Sequence, residues 1–97
     1  MVRSLVNRKG NAVANQFVIK TEGATYFQSY SSVVACIKDG RLTLSSHWDY
    51  SNTTRRNLYA FLDEYGFGQY CNKKTTENGI RDGEITLVNV SSLAIKA

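Results

Sequence analysis

Ninety-seven residues, 42% of them hydrophobic and 21% charged with a net charge of +4, exclude a disordered tail and leave room for one core only. No apolar run approaches the ~20 residues that cross a bilayer, and the opening MVRSLVNRKGNAVANQ holds no apolar stretch ahead of a small-residue cleavage site, so neither a membrane span nor a signal peptide is expected. Two cysteines, Cys36 and Cys71, are too few for the disulfide framework of a small secreted domain, which points to a single reduced domain over residues 1–97 in a cytoplasmic setting.

The charge is unevenly placed. Residues 1–20 carry Arg3, Arg8, Lys9 and Lys20 with no acid, while the rest of the chain holds eight bases and eight acids. Such an arm is either a solvated terminus or an electrostatic handle for an anionic partner. There is no proline, so every apolar run keeps the backbone donors needed for ladder pairing.

Taken in chain order, Val2 to Val6 can form an edge strand. Ala14 to Lys20 alternates, with Phe17 and Ile19 on one face and Gln16, Val18 and Lys20 on the other, the period of a half-buried strand. Gly23 marks a hairpin turn. Thr25 to Lys38 reads as one long strand, interrupted by a bulge or sharp bend at the serines 29, 31 and 32. Its second half is apolar on both faces and is expected to be central or covered.

Asp39-Gly40 between two apolar runs predicts a two-residue type I′ turn, whose central residues both need positive φ. Leu42 and Leu44 then alternate with Thr43 and Ser45 as the returning strand. Residues 51–65 are the main predicted helix. Ser51 can cap its free N–H groups, Leu58, Phe61, Leu62 and Tyr65 form one apolar stripe, and Gly66 ends it. A short second helix is expected over 73–81 and a final strand over 84–90. The fold class that follows is α+β: an antiparallel sheet of four to five strands with the main helix packed across one face.

Catalytic patterns are sparse. His47 is the sole histidine, and His47-Trp48-Asp49 sets an acid near an imidazole without any motif that positions a nucleophile. The chain has no phosphate-binding loop, dinucleotide turn or paired-cysteine motif, so no enzyme activity, metal or cofactor is expected. Two surfaces stand out instead. Tyr26, Gln28 and Tyr30 project from one strand face as a stacking platform for single-stranded nucleic acid would. Arg55 and Arg56, with Thr53, Thr54 and Asn57, form a polar patch on the first turns of the helix that could hold a phosphate or carboxylate. Cations there oppose the helix dipole unless an acid compensates, and Asp49 is the nearest candidate. Arg8 and Lys9 complete the set of candidate partner- or anion-binding residues.

Three stretches, Asn15-Gln16-Phe17-x-Ile19, Tyr26-Phe27-Gln28-Ser29-Tyr30-x-Ser32-x-Val34-Ala35 and Trp48-Asp49-Tyr50-Ser51-x-Thr53-Thr54 with Phe61-Leu62, resemble an uncharacterised group of small proteins of bacteriophages and mobile elements. Members often carry a histidine near position 57, where this chain has Asn57. The resemblance implies a phage-type accessory protein in the bacterial cytoplasm. The leading expectation is therefore a non-enzymatic inhibitor or modulator of a bacterial host or defence protein, such as a CRISPR effector. Two alternatives are a nucleic-acid-binding module using the basic arm and tyrosine face, and sequestration of an anionic nucleotide, which would need a concave pocket, for instance at a homodimer seam.

Overall fold

A computed structural model describes residues 1–7 and 9–93. Its strands are β1 (Val2–Val6), β2 (Ala12–Lys20), β3 (Thr25–Ser29), β4 (Ser32–Lys38), β5 (Arg41–Ser45) and β6 (Ile85–Val88), and its helices are α1 (Asn52–Glu64) and α2 (Lys73–Arg81). They form a six-stranded sheet in the order β1-β2-β3-β4-β5-β6. The expected class, α+β, describes this architecture. Four to five strands was too low a count, and the reason lies at residues 30–31.

The long run Thr25 to Lys38 does not merely bend; it reverses. Ser29 pairs with Ser32, so Tyr30 and Ser31 are a two-residue hairpin loop, with Tyr30 at φ 53°. A bulge follows in β4: Phe27 faces Ala35 and Gln28 faces Val33, leaving Val34 as the extra residue. The bulge lets Val34 and Ala35 both enter the core, while Val33 and Cys36 turn to the opposite face. β4 is central, as its two-sided apolarity requires. Asp39 and Gly40 adopt φ 54° and 74° between the paired Lys38 and Arg41, the signature of the type I′ turn read from the sequence.

The sheet is not wholly antiparallel either. β6 runs parallel to β5, pairing Leu42 with Ile85 and Leu44 with Leu87. The strand ends at Val88, short of the expected Val90, where a 3-10 turn over Val90–Ser92 begins. Between β5 and β6 the chain passes through a 3-10 turn (Ser46–Asp49), α1, a second such turn (Gly68–Tyr70) and α2. That is the helical crossover a parallel pair needs.

The main core takes one face of every strand. Leu5, Val18, Phe27, Val34, Ala35, Leu42, Leu44 and Ile85 meet Trp48 and the α1 stripe of Leu58, Phe61 and Leu62. Phe27 stacks on Phe61 at 5.6 Å between ring centroids. The Ser51 Oγ accepts the Thr54 N–H at 3.0 Å and starts α1; Gly66, at φ 86°, follows its end. Arg3 ion-pairs with Glu64 and donates to the Tyr65 hydroxyl at 3.0 Å, tying the edge strand to the end of α1. On the opposite face Tyr26, Val33 and Cys36 form a smaller cluster with Ile19, Ala24 and Leu93. Among the described residues no helix is long and apolar enough to cross a membrane.

Burial sets a pH limit. It pushes the Cys36 thiol up from its ordinary 9.0 and the Tyr59 phenol up from 10.0, and burial together with the Glu84 carboxylate raises Tyr70 from 10.0. The fold thus favours the neutral forms of these acids more than the unfolded chain does. Their contribution is complete below the ordinary values and is lost as pH rises through the raised ones. Urea midpoints are expected to hold from about pH 7 to about pH 9 and to fall by about pH 11. A midpoint still flat at the alkaline end would contradict this.

Candidate functional site

Two clefts flank the first turns of α1. The larger, about 510 Å³, is lined by Ser29, Tyr30, Ser32, Val34, His47, Tyr50, Ser51, Thr53 and Thr54. Its walls come from the 29–34 hairpin and from the 47–54 segment, so two motif stretches far apart in sequence close on one space. The lining is hydroxyl-rich and, among the described residues, carries no carboxylate, lysine or arginine.

Two exposed tyrosines mark the rim. Tyr30 is 63% exposed and Tyr50 77% exposed. Tyr30 holds a backbone conformation that disfavours a side chain, and its neighbours fix it there. Its N–H donates to the Asn15 carbonyl at 2.7 Å, Asn15 itself lies at φ 61°, and the Gln28 side-chain amide donates to the Tyr30 carbonyl at 2.7 Å. A non-glycine residue at positive φ costs roughly 1–3 kcal/mol and persists where its surroundings over-determine it, often at functional sites. Tyr30→Gly should therefore stabilise the fold by a net of about 1 kcal/mol, after the entropic cost of glycine. Thermal unfolding would show this as a rise of roughly 4–8 °C. A fall would mean that the exposed ring contributes to packing.

Inside the cleft, His47 Nδ1 lies 3.3 Å from Ser32 Oγ, and its ring sits 5.6 Å from that of Tyr50 at 34°. Among the described residues no carboxylate bonds to the imidazole. Asp49, which the sequence places beside it, is engaged elsewhere: it ion-pairs with Arg55 and lies 3.6 Å from Lys73 Nζ. The Ser51 and Thr54 hydroxyls, 3.0 Å apart, belong to the helix cap. No three His, Cys, Asp or Glu side chains gather among the described residues as a metal site would need.

The smaller cleft, about 310 Å³, lies on the other side of α1 and is lined by Asn7, Lys9, Arg56, Asn57, Tyr59, Ala60 and Cys71. The candidate residues therefore divide. Tyr30, Thr53 and Thr54 belong to the larger cleft; Lys9, Arg56 and Asn57 belong to the smaller. Arg55 lines neither: it is held by Asp49, the compensating acid anticipated from the helix dipole, and by Asn52. Arg8 lies outside the described residues.

Tyr26 is a correction. It is only 4% exposed, packed with Val33 and Cys36, so it forms no open stacking platform with Tyr30. The reversal at residues 30–31 breaks the alternation on which that expectation rested. His47 is singled out in the sequence only for its nearness to Asp49; Tyr50, Ser29 and Ser32 are not among the candidate residues, although the stretches containing them are. Their one local signal was an aromatic beside a helix cap, Tyr50-Ser51.

A family model described as a family of unknown function (DUF8033) matches residues 1–78. The chain belongs to this family. The matched span includes every residue that lines either cleft and ends within α2. No curated protein and no solved structure matches the chain.

Proposed function

We propose that this member of the family is a small non-enzymatic binding protein. It docks a bacterial host or defence protein in the cytoplasm through the Tyr30–Tyr50 cleft and inhibits or modulates that partner. A phage-type origin, implied by the sequence resemblance, supplies the setting. The observation that carries the reading is the pair of exposed tyrosines on the rim of an uncharged, hydroxyl-rich cleft, one of them held at an energetic cost.

Tyrosine offers a large, stiff, amphipathic contact area and is enriched among residues that dominate binding energy. Ser and Thr hydroxyls around it can donate or accept, which suits a polar protein surface. The non-enzymatic part of the reading is supported by the Ser32–His47 contact itself. At 3.3 Å it is long for an O–H···N bond, and a histidine base needs a third group to orient it. The carboxylate nearest in sequence is committed to Arg55 and Lys73.

The test is affinity capture from bacterial lysates with the wild-type chain and with the double variant Tyr30→Ala/Tyr50→Ala, each checked for folding by circular dichroism. The expected result is a stoichiometric protein partner whose affinity for the folded double variant is at least about tenfold weaker, the loss of ~1.4 kcal/mol set by one moderate hot spot. Equal capture by both proteins would contradict the reading, as would recovery of nucleic acid alone.

A further inference from the structure

The geometry points to a second, independent site: the smaller cleft beside α1 binds a phosphate-bearing small molecule. Three observations converge on it. Lys9, from the loop between β1 and β2, and Arg56, from the second turn of α1, bring two positive charges to one cavity from separate elements. Neither has an acidic partner within ion-pair distance among the described residues, whereas Arg3, Arg55, Lys73 and Arg81 all do.

The third observation is Asn57. It lines the same cavity, is only 6% exposed, and its side-chain amide makes no hydrogen bond among the described residues. The amide atoms of Asn57 are not sealed from solvent without a partner, so the amide opens onto the cavity, where a ligand can reach it. Its N–H₂ group is a donor, as are the guanidinium and ammonium beside it, and among the described residues no carboxylate lines the cavity to oppose them. Three donors, two of them cationic and one able to bond in a bidentate fork, match the acceptor oxygens of a phosphoryl group.

The other walls explain why the ligand would be more than the bare ion. Tyr59 and Ala60 give an apolar side, and the Cys71 thiol is turned to the Tyr59 carbonyl at 3.3 Å. At about 310 Å³ the cavity sits at the lower end of ligand pockets, suited to a mononucleotide-sized molecule and not to a longer chain. The site is distinct from the tyrosine cleft, and the two stand or fall separately.

Titration calorimetry of the full chain with inorganic phosphate and, separately, with adenosine monophosphate tests the assignment. Saturable binding on the order of 1 mM or tighter is expected for at least one probe. It should weaken at least tenfold in Arg56→Gln and in Lys9→Gln and be unchanged in Lys74→Gln, which removes an exposed charge outside the cavity. Tighter binding of the nucleotide would identify the apolar wall as part of the site; equal binding would assign the site to the phosphoryl group alone. Absence of saturable binding of either probe overturns the proposal. So does an equal loss in Lys74→Gln, which would reduce the effect to net charge.

Discussion

Phe61→Ala should lower the stability of this protein by about 3–5 kcal/mol, a large part of what a domain of this size possesses. Phe61 is fully buried at the centre of the main core, stacked on Phe27 at 5.6 Å and tilted against Tyr65 at 5.0 Å. Truncation removes the buried ring and leaves a void between α1 and β3 that a rigid sheet cannot close. The melting temperature should fall by at least about 12 °C. Glu64→Ala, three residues on, removes only a half-exposed ion pair with Arg3 and should cost no more than about 1 kcal/mol. Comparable losses in the two variants would mean that α1 does not seal the sheet.

Gly79→Ala sets two effects against each other, and their sizes decide the sign. In a helix, alanine is favoured over glycine by about 1 kcal/mol. Gly79, however, is buried in α2, and a Cβ there would lie 2.8 Å from Ile85 Cδ1 and 2.8 Å from Tyr70 Cε1. Overpacking of this kind costs roughly 1–3 kcal/mol, so after the helix gain a net loss of up to about 2 kcal/mol is expected by urea unfolding. Ile85→Val shortens one of the two clashing groups. The double variant Gly79→Ala/Ile85→Val should therefore lose less than the sum of the single losses. A stabilising Gly79→Ala would place α2 farther from β6 than the structure does.

Much of this fold could be read in the sequence where a local cause dictated the local structure. Asp39-Gly40 fixed a turn because few residue pairs accept two positive φ values. Ser51, the Leu58-Phe61-Leu62 stripe and Gly66 bounded α1 by capping, periodicity and termination. The turn at Tyr30-Ser31 was hidden because tyrosine carries no turn preference; a hydrogen bond to the Asn15 carbonyl and one from the Gln28 amide, set by tertiary pairing, hold it. That one reversal added a strand and withdrew Tyr26 from the surface. The parallel pairing of β6 was missed by following the grouping of strands, although the intervening helices supplied the crossover that parallel pairing demands. Of the candidate residues, Arg55 found the acid partner that dipole electrostatics called for. The partition of the others between two clefts could not be read, because successive positions on the first turns of α1 open to opposite sides.

α1 thus joins the packing and the surfaces. Its apolar stripe closes the core, while Thr53 and Thr54 on one flank and Arg56 and Asn57 on the other border separate cavities. We propose the space between the Tyr30 turn and the start of α1 as the surface on which this protein works. Hydrogen exchange of the chain, alone and bound to its captured partner, tests it most directly. Slowed exchange is expected in residues 29–34 and 47–54, with little change along β1 and β6. Protection confined to those edge strands, with the tyrosine cleft exchanging as freely as before, would contradict it.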